Sequence, residues 1–61
     1  MNDDALRHLR EARALLLIER TTLAGGNSRE LSITLTEIDT AILWRQHDLQ
    51  MREEDLAEVN R

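Results

Sequence analysis

Residues 28–59 read SRELSITLTEIDTAILWRQHDLQMREEDLAEV, and within them Leu31, Leu35, Ile38, Ile42, Arg45, Leu49, Arg52, Leu56 and Val59 recur in alternating steps of four and three. That period holds a stripe of side chains on one face of an α-helix, whereas a half-buried strand requires strict alternation. The SITLT segment at 32–36 does alternate and is rich in β-branched residues, so a strand competes there. The seam runs through it without a break, which favours one long helix over about residues 28–58.

Upstream, Gly25-Gly26 predicts a helix stop, because a left-handed residue is cheap only for glycine, and Asn27-Ser28-Arg29-Glu30 has the spacing of a capping box. Before the glycines, ALRHLREARALLLIERTTLA at 5–24 contains no breaker, and Asn2, Asp3 and Asp4 offer an N-cap with favourable negative charge. A first helix is therefore expected over about residues 4–24, followed by a turn at 25–27. So short a connection returns the second helix antiparallel to the first. The expected fold is all-α, an antiparallel two-helix hairpin with a long second helix, forming a single domain over residues 1–61.

The whole chain has 61 residues, 8 Arg against 12 Asp and Glu, a net charge of −4, 41% apolar residues and no Cys, Pro, Phe or Tyr. The acidic balance argues against a non-specific DNA or RNA binder, which needs a basic face to release counterions. The absence of cysteine excludes disulfides, Cys-ligated zinc and a thiol nucleophile. There is no apolar run of membrane-spanning length and no signal-peptide core, so a cytoplasmic location and no membrane partner are expected.

Nineteen large apolar side chains are few for a lone domain of this size. The helix lengths add to that shortage: about 45 Å for the second against about 30 Å for the first leaves Leu49, Met51, Leu56 and Val59 on an uncovered overhang. In the first helix Leu6, Leu9, Leu16 and Leu23 form one stripe, yet residues 14–18 are apolar all the way round. Leu15 and Ile18, or Leu17, are expected at a subunit interface, and the chain is expected to form a symmetric helical homo-oligomer.

A turn centred near residue 26 sets Arg13 opposite Asp39, an ordinary ion pair, and His8 opposite Trp44, with His47 one turn along. Trp44 is expected in the core. Two histidines without a third ligand make a poor metal site, and neither a metal nor a cofactor is expected. No nucleophile has a base and a third group at motif spacing, so an enzyme is not expected. Arg45 and Arg52 lie in the apolar seam, where each can snorkel, pair with a carboxylate such as Glu53 or Glu54 of a neighbour, or await an anionic ligand. The start of the second helix, with its free N–H groups beside Arg29, is a further place for a phosphate, the alternative being that Glu30 completes the cap and pairs with Arg29.

The string SRELSITLTEIDTAILW at 28–44 resembles the C-terminal helix of the phage-encoded anti-CBASS cyclic-oligonucleotide sponges. The positions that carry the resemblance are Ser28, Arg29, Glu30, Ile33, Leu35, Thr36, Ile38, Asp39, Ala41 and Trp44, and LREARALLLI upstream is similar to the family's preceding helix. The likeness spans about residues 9–50. It implies a compact oligomer, hexameric in the best-known members, whose inter-subunit pockets sequester cyclic oligonucleotide immune signals stoichiometrically. Arg29 and Thr36 are the ligand contacts it implies, with the seam arginines Arg45 and Arg52 as further candidates. Family members carry an additional N-terminal segment with an aromatic contact to cyclic dinucleotides, whereas this chain has no Tyr or Phe and begins near its first helix. A different cyclic oligonucleotide, or the scaffold alone, are the readings this departure leaves. The alternative function is a small helical protein–protein interaction module or regulator acting through its overhanging second helix.

Overall fold

In the computed structural model, which describes residues 3–59 and their side chains as far as residue 56, the chain is all-α: α1 (Asp4–Glu19), the one-turn α2 (Leu23–Gly26) and α3 (Arg29–Val59). Asn2, one of the expected cap residues, and the side chain of Val59 lie outside the described residues. Asp3 caps α1, its Oδ2 accepting the Leu6 N–H at 2.9 Å and satisfying one of the free donors of the first turn.

The first helix ends five residues earlier than expected, and threonines end it. The Thr21 and Thr22 amides donate to the carbonyls of Ile18 and Glu19, and their hydroxyls donate to the same two oxygens at 2.6 and 2.7 Å. A side chain that competes with the next helical N–H for a carbonyl favours a turn over continuation. Thr22 then takes an extended conformation and caps α2, accepting the Gly25 N–H at 3.0 Å.

Neither glycine adopts a positive φ, so the left-handed stop expected at Gly25-Gly26 does not occur. Gly25 is required for a different reason: it is buried, and a Cβ built there would stand 2.1 Å from the Glu19 carbonyl oxygen. The chain folds back so closely on the end of α1 that only a hydrogen fits.

The capping box also moves. Asn27 closes α2, its Nδ2 donating to the Leu23 carbonyl at 3.0 Å, while Ser28 is the cap of α3 and accepts the Leu31 N–H at 3.0 Å. The SITLT segment is helical. Its hydroxyls are absorbed locally, Ser32, Thr34 and Thr36 each donating to the carbonyl four residues back, as Thr40 does one turn further on.

Helix α1 packs against α3. Asp3 meets Arg45 and Arg13 meets Asp39, so partner numbers fall along α3 as they rise along α1. The core between them is thin: Leu6, Leu31 and Leu35 are buried, with Leu9, Leu16, Leu17, Ile38, Ile42 and Leu49 half-buried around them. Leu23, expected on the stripe of the first helix, belongs to α2 and is exposed. Leu15 and Ile18 are also exposed, as is Trp44. Burial along the α3 seam fades after Leu49, and Arg52 and Leu56 are in solvent.

Gly25→Ala should destabilise the fold by about 1–3 kcal/mol through forced overpacking at the Glu19 carbonyl. Gly26→Ala should cost much less, because its Cβ would have only the Arg20 carbonyl oxygen at 3.3 Å. Thermal melts of the two variants followed by circular dichroism check the contrast.

Candidate functional site

Two pairs of arginines stand at opposite ends of the hairpin, Arg45 with Arg52 and Arg20 with Arg29. At the free end, where α1 begins, Arg45 reaches from α3 to grip Asp3 with two donors: Nε to Oδ2 at 3.2 Å and Nη2 to Oδ1 at 3.0 Å. Its third nitrogen donates to Asp48 at 2.8 Å, and Arg52 donates to the other oxygen of Asp48 at 3.0 Å. Asp3, Arg45, Asp48 and Arg52 thus form one continuous chain of charges. The fork geometry suits a planar guanidinium, and lysine could not reproduce it. Among the described groups, the carboxylates beside Arg45 and Arg52 are Asp3 and Asp48 of the same chain.

The hydrogen bonds from Arg45 and from the Leu6 amide hold the Asp3 carboxyl below its ordinary value of 3.8. Asp3 in turn raises the Arg45 guanidinium, which stays charged throughout. Asp3 therefore carries two tasks at once, capping α1 and tying that helix start to α3.

The joined end, where α1, α2 and α3 meet, is different. Arg20 is the C-cap of α1 and Arg29 the first residue of α3; both are exposed, and neither has a carboxylate within ion-pair distance among the described residues. Thr36 lies two turns along α3 from Arg29, about 10 Å up the same face, since seven residues bring a helix back almost to the same direction. Its hydroxyl proton is committed to the Ser32 carbonyl at 3.1 Å, which leaves its oxygen lone pairs available as acceptors on an exposed surface. Of the four residues singled out as ligand contacts, the structure brings Arg45 and Arg52 together in one charge chain. It places Arg29 and Thr36 apart from them, on one open face.

A third feature lies on α3. Thr40, Leu43, Trp44 and His47 line an open groove of about 420 Å³ in which the Trp44 and His47 rings meet edge to face at 6.0 Å. Trp44 is not a core residue: it is 67% exposed. Position 44 points about half a turn away from the Ile42 side that α1 covers, so helix α1 cannot reach it. His8 partners Glu11 of its own helix at 3.3 Å, not Trp44. The Arg13–Asp39 pair forms where the turn arithmetic sets it, although both groups are about half exposed and the pair contributes little. No group of three metal-ligating side chains occurs among the described residues, and no helix there is long and apolar enough to cross a membrane.

The role of Asp3 as the partner of Arg45 escapes the sequence reading, which uses it only as a cap. The signal was present, since the register that pairs Arg13 with Asp39 brings Asp3 within one turn of Arg45.

Because the folded state favours ionised Asp3, the stability it contributes is complete above about pH 4 and disappears as pH falls through the lowered value. Asp3→Asn should therefore flatten the acid limb of the stability profile, and Arg45→Gln should do the same. Thermal midpoints recorded between neutral pH and pH 2.5 provide the check. No family model matches this chain, and neither the curated proteins nor the solved structures yield a match to it.

Proposed function

We propose that this protein is a non-enzymatic binder of cyclic nucleotide immune signals, an anti-defence sponge of the kind whose sequences it resembles, acting in the cytoplasm of a bacterial host. Its unit is the antiparallel helical hairpin. Copies of the hairpin assemble into a symmetric oligomer, and the ligand occupies pockets between them. One observation carries this reading: Arg29 stands exposed at the first turn of α3, without a carboxylate partner among the described residues, on the face that also presents Thr36.

Helix starts attract phosphate through free N–H groups, and an unpaired guanidinium adds a forked donor of the right charge. Arg45 and Arg52 support the reading less directly. A ligand would have to displace Asp3 and Asp48 to use them, so their contribution is to hold the subunit together.

The interaction-module reading draws on a separate observation. Beyond Arg45, the residue that meets the start of α1, α3 continues to Val59, and Met51 and Leu56 on this extension are exposed. An uncovered amphipathic helix of this kind suits a groove on a partner protein.

Isothermal calorimetry against a panel of cyclic di- and trinucleotides tests the sponge. Binding of at least one ligand at sub-micromolar concentration is expected. Arg29→Ala should weaken it about 10- to 100-fold, the worth of one charge-assisted hydrogen bond, with sedimentation unchanged. Absence of binding across the panel overturns the sponge and leaves the interaction module.

A further inference from the structure

Helix α3 carries a second seam. The first, Leu31, Leu35, Ile38, Ile42, Arg45 and Leu49, is buried or half-buried against α1. On the far side Ile33, Glu37, Thr40, Trp44, His47 and Met51 follow one another in steps of four, three, four, three and four, and every one of them is exposed. At about 100° per residue this second stripe is centred about 200° from the first, directly opposite the covered face. Alternating steps of four and three are the pattern by which two helices pack side by side. Glu37 and His47 have no hydrogen bond or ion pair among the described residues.

The stripe is complementary to itself when reversed. If a second α3 is laid antiparallel with the two-fold axis level with residue 42, Ile33 meets the partner's Met51, Glu37 meets the partner's His47, and Thr40 meets the partner's Trp44. Apolar faces apolar, acid faces base, and a threonine methyl faces an indole. A parallel arrangement in register would set Glu37 against the partner's Glu37 at every copy, which is repulsive. Leu43, next to the axis and also exposed, flanks the junction.

The area agrees. The chain exposes 5119 Å², whereas a compact monomer of its mass exposes about 4,100 Å². Part of the excess of about 1,000 Å² belongs to the elongated shape, and the exposed surface is sufficient for an interface of ordinary size, which buries about 800 Å² on each partner.

We propose that two copies of this chain associate through the outer seam of α3, antiparallel about a two-fold axis near residue 42, with reciprocal Glu37–His47 contacts fixing the register. The overhanging end of each α3 then lies beside the first half of the partner's α3, which covers Met51. This inference rests on the oligomer proposed above but not on its ligand, and its test reads assembly alone.

The experiment is sedimentation equilibrium of the full chain without nucleotide, with circular dichroism confirming that each variant is helical. The wild type should form a dimer or a multiple of it at micromolar concentration, and its Trp44 emission should shift to the red on dilution. Glu37→Arg and His47→Glu should each weaken association about tenfold or more, because each places like or unmatched charges at two symmetry-related contacts. The double variant, which restores an opposite pair, should return to within about threefold of the wild type. A monomeric wild type overturns the proposal. So does a double variant that associates no better than the weaker single variant, since apolar association without this register would gain nothing from the exchange.

Discussion

Two helices laid side by side can shield from water only the stripe that each turns toward the other, and here, among the described residues, that contact buries only the side chains of Leu6, Leu31 and Leu35. Everything else about the molecule follows from this narrow strip. A core so thin cannot set the relative position of the helices by packing alone, and the chain adds polar clasps at both ends. Asp3 and Arg45 hold the free end. The threonine and serine caps, with the close approach at Gly25, hold the joined end. The clasps act on geometry more than on stability, because groups this close to water exchange one set of hydrogen bonds for another at modest gain.

The two ends are also chemically unlike. Where α1 begins, Asp3, Arg45, Asp48 and Arg52 alternate in sign and pair with one another, tying α1 to α3. At the junction of the helices, Arg20 and Arg29 are exposed and have no carboxylate within ion-pair distance among the described residues. At one end the docked helices bring Asp3 and Asp48 within reach of the arginines. At the other, Thr21, Thr22, Asn27 and Ser28 bind backbone, and Glu19 and Glu30, although they adjoin Arg20 and Arg29 in the chain, form no ion pair with them among the described residues.

The exposed apolar residues are the complement of the thin core. Leu15 and Ile18 on α1, and Leu43 and Trp44 on α3, lie on sides that the partner helix does not reach, because no single neighbour can surround a helix. The proposed antiparallel dimer would cover the outer seam of α3 on this uncovered side.

Much of this was legible in the residues themselves. The three-four period of 31–56 identifies a long helix even through the β-branched SITLT segment, since threonine hydroxyls are satisfied by carbonyls one turn back. The Arg13–Asp39 pairing follows from turn position alone. The end of α1 was not legible, because the choice between Thr21-Thr22 and Gly25-Gly26 as the stop depends on which carbonyls the hydroxyls reach once the chain has turned. The requirement for glycine at position 25 is likewise a matter of how near the returning backbone comes to Glu19. Nor could the sequence separate the arginines, as Arg29 and Arg45 are equal in charge and reach. Only the packed register decides that Arg45 finds Asp3 while Arg29 finds water, and that Trp44 faces outward. Periodicity is a local property and survives in a string of letters, whereas partnership between residues forty positions apart exists only after the helices have docked.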